Sequence, residues 1–162
     1  MPLWATVPVP ELGSCRCGGH RMLGRMAVQH HAFTVSSTRE HEVIDVTDEV
    51  TRFVRATGCD NGVCTIYTPH ATAAITINEN DDPNIGVDLL RALAKAIPEH
   101  DGWLHDRIDD NAAAHIKAAI VGPSESIPII DGRLALGTWQ NVFLCEFDGP
   151  RAQRRVLVTV CS

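Results

Sequence analysis

The sequence predicts an α+β domain, an antiparallel β-sheet or sandwich of about eight strands with two main helices packed on it. Three observations carry that expectation. Short apolar runs with period-two alternation recur along most of the chain. Two longer stretches instead repeat apolar residues every three to four positions, and the strands are joined by turns without regular βαβ alternation. The 162 residues, 44% of them apolar, suffice for one core and call for no second domain.

Taken in order, residues 1–25 hold three prolines, four glycines and no periodicity, so they read as a loosely ordered N-terminal extension, and residues 26–162 as a single domain. Residues 31–37 and 42–46 read as extended. Thr47 then caps a helix with Val46, Val50, Phe53 and Val54 on one face, closed by Gly58. Val63–Thr68 and Ala73–Asn78 read as paired strands. Asp82-Pro83 supplies a cap followed by proline at the first helical position, and the helix it opens turns Ile85, Leu89, Leu93 and Ile97 inward before stopping at Pro98. After a polar stretch from Glu99 to Asp110, a short helix starts at Asn111, carries His115 and Lys117, and ends at Gly122-Pro123. Asp131-Gly132 forms a hairpin between Ile127–Ile130 and Leu134–Leu136, because both residue types tolerate positive φ. Asp148-Gly149-Pro150 turns Asn141–Phe147 into Arg154–Val160.

Composition narrows the function. With 14 basic against 20 acidic residues, a net charge of −6 and no run of five like charges, a nucleic-acid-binding surface is not expected. Apolar runs are strand-length, short of the ~20 residues that span a bilayer, so no membrane association is expected either. The first 25 residues lack a continuous apolar segment before a cleavage site, which points to the cytoplasm. Of six cysteines, Cys64, Cys145 and Cys161 fall in strands and read as reduced, buried thiols. Cys15, Cys17 and His20 lack the second ligand pair that a zinc site requires and read as tail residues.

Candidate chemistry sits at strand ends. His70 opens an alternating strand on the same face as Thr72, and the strand ends at Asn78-Glu79-Asn80. His105 precedes Asp109-Asp110, and His115 follows ten residues later. His70, His105 and His115, with Glu79, Asp81 and Asp82, would make a divalent-metal (zinc or magnesium) or general acid/base site if the fold gathers them; taken singly, each histidine reads as a hydrogen-bonded structural residue. Lys117, Ser124, Thr138 and Arg151 offer cationic and hydroxyl donors to a phosphate. Trp139 and Gln140, at a glycine corner, suit either a flat ligand or a core or subunit contact. No P-loop, dinucleotide fingerprint, nucleophile elbow or Cys-x-x-Cys motif is present.

The blocks His70-Ala-Thr-Ala-Ala-x-Thr-x-Asn-Glu-Asn, His105-Asp106, Asn111-x-x-x-His115-Ile-Lys117 and Ser124-x-x-Ile-Pro-Ile-x-x-Gly-x-x-x-x-Gly-Thr-Trp-Gln-x-Val resemble the YjbQ family of secondary thiamine-phosphate synthases. The resemblance runs from about residue 30 to the C-terminus. It implies a YjbQ-like α+β subunit with an antiparallel β core, assembled as a homotrimer with pockets at subunit contacts. It also implies weak thiamine phosphate synthase activity, joining hydroxymethylpyrimidine diphosphate to thiazole phosphate with release of pyrophosphate. Under that reading His70, Glu79, His105, His115 and Lys117 carry catalysis, while Thr72, Asn78, Ser124, Thr138, Trp139, Gln140 and Arg151 bind a small phosphorylated or heterocyclic ligand. Two alternatives stay open: a zinc-dependent hydrolase of a small phosphorylated or cyclic metabolite, and a non-catalytic trimer that binds such a ligand.

Overall fold

The computed structural model describes residues 27–162, so the N-terminal extension, with Cys15, Cys17 and His20, lies outside the described residues. Eight strands and three α-helices follow in the order β1 (Val28–Val35), β2 (Glu42–Asp45), α1 (Thr47–Thr57), β3 (Gly62–Tyr67), β4 (Ala73–Glu79), α2 (Asn84–Ala96), α3 (Ala112–Val121), β5 (Ser124–Ile130), β6 (Arg133–Leu134), β7 (Gln140–Glu146) and β8 (Arg154–Cys161). The strands form two antiparallel sheets, one ordered β1-β8-β3-β5-β6 and the other β2-β7-β4.

The two sheets pack face to face. Ile66, Ile75, Leu144, Val142, Val156 and Val158, all fully buried, interdigitate between them, and α1 closes one side with Val50 and Val54. A second apolar layer lies on the opposite face of the three-stranded sheet, where Ala74, Cys145 and Phe147 meet Ala114 and Ala118 of α3 and Leu89, Leu90 and Leu93 of α2. The architecture is therefore three layers: five strands, three strands, then helices. Burial pushes the thiols of Cys64 and Cys145 up to about 12, so both stay protonated and act as small hydrophobes.

Several local expectations shift. β4 is buried on both faces near its start, because the alanines of α3 approach Ala74 closely enough to cover the side that alternation alone assigns to solvent. The third helix, α3, ranks with the other two and is the most buried of them. The residue preceding α1 is Val46, and Thr47 opens the helix with its hydroxyl turned back to Asp45 Oδ1 (2.6 Å), so it is no cap. Likewise α2 begins at Asn84, one residue later than Asp82-Pro83 suggests, with Asp82 Oδ1 accepting the Asn84 N–H at 2.9 Å. The first strand begins and ends earlier than expected, and β6 is shorter, ending at Leu134. Gly58 closes α1 in the left-handed region (φ 67°), as its position predicts. No helix among the described residues is long and apolar enough to cross a membrane.

Candidate functional site

β4 and β7 pair so that Ala73 faces Glu146 at one end and Glu79 faces Gln140 at the other. The two sequence blocks that carry most of the candidate residues therefore lie side by side along the whole ladder. At about 3.4 Å per residue, Thr72 and Glu79 are roughly 24 Å apart, so each end of the ladder is a separate site within one chain.

At the first end the polar groups are buried and satisfied. Glu146 is fully buried within the apolar β7 and pairs with Arg154, whose Nε donates to Oε2 at 2.6 Å and whose Nη2 donates both to Oε1 and to Thr72 Oγ1. Ser37 Oγ and the Asp148 N–H also donate to this carboxylate, at 3.0 and 2.9 Å. Burial alone raises the Glu146 carboxyl; the Arg154, Asp148 and Ser37 hydrogen bonds outweigh it and hold the group below the usual carboxylate range. A side chain on Gly149 would lie 2.1 Å from the Arg39 carbonyl, so glycine is required where this turn closes over the pair. Arg151 is exposed and tied to Asp148 by two contacts of 2.7 Å. Ser124 opens β5, exposed, opposite Tyr67.

His70 belongs to this end. Its Nε2 accepts the Arg155 N–H at 2.8 Å, and because a backbone amide only donates, the neutral ring must carry its proton on Nδ1. Desolvation, reinforced by the Arg154 charge, lowers its pKa below the usual histidine value. His70 is thus held neutral with its Nε2 lone pair occupied, which removes that nitrogen from metal binding and general-base work within this chain.

A third group lies on the helical layer. His105 and His115 meet edge to face with ring centroids 4.9 Å apart, beside a shallow depression floored by Trp103, Leu104 and Ile116, and Asp109 Oδ2 lies 4.0 Å from His105 Nε2. The donor atoms of His105, His115 and Asp109 do not all lie within 4.8 Å of one another, so this is a ring contact with a carboxylate nearby rather than an assembled metal site. His70 does not join them: among the described residues, the three groups whose donor atoms all lie within 4.8 Å of one another are His100, Asp106 and Asp110. Lys117 is 1% exposed, and its ammonium pairs with Glu99, which also lies 3.4 Å from His41 Nε2. An ammonium buried this deeply requires a counter-charge, so Lys117 is committed to Glu99 and is not free to meet a phosphate.

The second end of the ladder is open. Between the first turn of α2 and the three-stranded sheet lies a cleft of about 180 Å³, walled by Ile85 and Leu89, floored by Val43 and Phe143, and rimmed by Asn78 and Glu79. The α3 alanines cover Ala74, while over Thr76 and Asn78 the cleft is closed only by Ile85, Gly86 and Leu89 of α2. Asn80 N–H donates to the Trp139 carbonyl at 2.9 Å, which places the exposed Trp139 at this same end, beside Thr138 and Gln140. Gln140 Oε1 accepts the Gly137 N–H at 2.8 Å and so shapes the corner. Asp45 also rims the cleft, its carboxylate accepting four hydrogen bonds from Thr47, Asn80 and Asn141.

The profile of the family described as UPF0047 protein YjbQ-like matches residues 31–162. The chain belongs to the UPF0047 YjbQ-like family. Among UPF0047 relatives, the YugU protein of Bacillus subtilis (strain 168) is 46% identical over 122 residues, covering 74% of this chain and 89% of that protein. The YjbQ protein of Salmonella typhimurium (strain LT2) is 32% identical over 117 residues, covering 71% and 85%. A crystal structure of a YbjQ-like protein from Sulfolobus solfataricus superposes with a TM-score of 0.83 at 38% identity, covering 85% of this chain and 99% of that one. The three-layer arrangement is therefore the UPF0047 fold.

Asp45, Glu146, Arg154, His41 and Glu99 are the site residues that sequence reasoning missed. For Glu146 and Arg154 a signal existed: each is a charge on an inward or doubly buried position of an otherwise apolar strand, which calls for a buried partner. Asp45, His41 and Glu99 stand at loop and strand ends with no comparable pattern.

Proposed function

We propose that this UPF0047 protein is a weak thiamine phosphate synthase. In the reaction, the thiazole phosphate nitrogen attacks the methylene carbon of hydroxymethylpyrimidine diphosphate. A C–N bond forms as the C–O bond breaks, and pyrophosphate leaves with the bonding electrons. The observation that carries this reading is the ring-sized cleft at the Glu79 end of β4, with exposed Trp139 beside it. A void of about 150 Å³ accommodates benzene, so this cleft takes one six-membered heterocycle and little more. Trp139 offers a stacking surface for the second, and Asn78 and Glu79 read ring edges.

The leaving diphosphate requires positive charge. Within one chain Lys117 is already committed to the half-buried Glu99, Arg154 to the buried Glu146, and Arg151 is paired with Asp148, which accords with slow turnover. A divalent ion, zinc or magnesium, would supply charge neutralisation to the phosphates; among the described residues the converging donors are those of His100, Asp106 and Asp110, while those of His105, His115 and Asp109 do not all converge. The reading places the protein in the cytoplasm as a homotrimer, with phosphate contacts completed at subunit boundaries. The paired imidazoles also favour a second reading, a zinc-dependent hydrolase of a small phosphorylated metabolite.

The deciding experiment combines elemental analysis, mass in solution and product formation from both substrates, for the wild type, Glu79→Gln and His115→Ala. Thiamine phosphate formation that falls in both variants supports the synthase. Zinc retained through purification, lost in His115→Ala and accompanied by phosphoester hydrolysis, selects the hydrolase instead. Ligand binding without turnover at saturating substrate leaves a binding protein.

A further inference from the structure

The cleft at the Glu79 end carries more information than its size. Asp45 Oδ1 accepts the Thr47 N–H and hydroxyl at 2.8 and 2.6 Å, and Oδ2 accepts the Asn80 and Asn141 Nδ2 groups at 2.8 and 2.6 Å. An ionised carboxylate only accepts, so both asparagines must turn their amide nitrogens toward it. The Asn80 amide oxygen is left facing away from Asp45 with no donor among the described residues. Asn78 behaves oppositely: its Oδ1 accepts the Glu79 N–H at 2.8 Å, which leaves its Nδ2 as a donor. No lysine or arginine lines the cleft.

From this pattern we propose that the cleft selects an amino-substituted nitrogen heterocycle, reading an exocyclic NH₂ with the Asn80 oxygen and an adjacent ring nitrogen with Asn78 Nδ2. Asp45 is the positioning residue that fixes this polarity by holding the Asn80 amide in one orientation. The inference rests on the synthase reading for the identity of the ring, a 4-aminopyrimidine, and assigns which end of the diphosphate substrate enters the cleft. The ring goes in and the phosphates stay out, because acceptor oxygens without a cation repel phosphate.

Two probes of nearly identical shape test it: 4-amino-2-methylpyrimidine, and 2,4-dimethylpyrimidine, in which a methyl replaces the amine. Calorimetric titration of the full chain at pH 7.5 is expected to show the amino compound bound about tenfold more tightly, the net worth of one to two hydrogen bonds. In Asp45→Asn the new side chain keeps its oxygen toward Thr47 and presents NH₂ to Asn80, turning the Asn80 amide so that its nitrogen faces the cleft; the preference for the amine collapses to about twofold or less. A merely structural role for Asp45 weakens both probes alike and leaves their ratio intact. Equal affinity of the wild type for both probes, no binding of either, or a ratio unchanged in a folded Asp45→Asn protein overturns the proposal. The synthase reading fails separately: selective amine binding with no thiamine phosphate formed sinks that reading alone, while turnover without amine selectivity sinks only the inference drawn from the cleft.

Discussion

The two ends of the β4–β7 ladder hold similar residues and behave oppositely. At the His70 end a carboxylate, a guanidinium and two hydroxyls satisfy one another, the His70 imidazole is taken up by the Arg155 backbone N–H, and Glu146 and Arg154 are sealed from solvent. At the Glu79 end two carboxylates, Asp45 and Glu79, and two asparagines, Asn78 and Asn80, line a void, with the Asn80 oxygen unused and Trp139 nearby. A buried polar cluster whose hydrogen bonds close on themselves has nothing left to offer a ligand. The open end keeps unspent hydrogen-bonding capacity, and that capacity is what recognition uses.

The sharpest way to break this contrast is to remove one partner at the closed end. Arg154→Ala leaves Glu146 buried without its counter-charge and is expected to cost about 3–5 kcal/mol. A fall in Tm of about 10 °C or more, measured by calorimetry, is the expected outcome, with probe binding per folded molecule unchanged. A Tm unchanged within a degree or two contradicts the closed-network account. At the open end, Glu79→Gln should do the reverse, altering stability by no more than about 0.5 kcal/mol while abolishing thiamine phosphate formation.

Trp139→Ala tests the stacking surface. Because Trp139 is 58% exposed, its loss should barely shift Tm, whereas heterocycle affinity should drop about tenfold, within the range of roughly 1–3 kcal/mol for base–aromatic stacking. Equal affinity in the variant makes the indole a subunit contact.

The smallest effects concern pH. His70 has a lowered pKa in the fold, so its neutral form is favoured there; its contribution is intact above the ordinary value of 6.5 and is lost as pH falls below it. Glu146 is lowered from 4.5, so its contribution is intact above 4.5 and is lost on further acidification. Tm measured from pH 7.5 down to about 3 should therefore decline in two stages, and His70→Gln should flatten only the first. A first stage that survives this substitution assigns it to other histidines.

Element type and order were legible because they rest on local periodicity: the alternation in Ala73–Asn78 and the helical spacing of Val46, Val50 and Val54 each point to one class of structure. The pairing of β4 with β7 was not, since it joins residues more than sixty positions apart in sequence, and only that pairing brings Trp139 to Asn80. The candidate residues were mostly identified by type; their grouping was not. His105 and His115 meet, while His70 is drawn away by the Arg155 amide and Lys117 by Glu99. The sequence by itself determined which residues can do chemistry, because side-chain type is local. Tertiary structure alone decided which of them are already satisfied, because a hydrogen bond is spent on whichever partner the packed sheets and helices bring within reach.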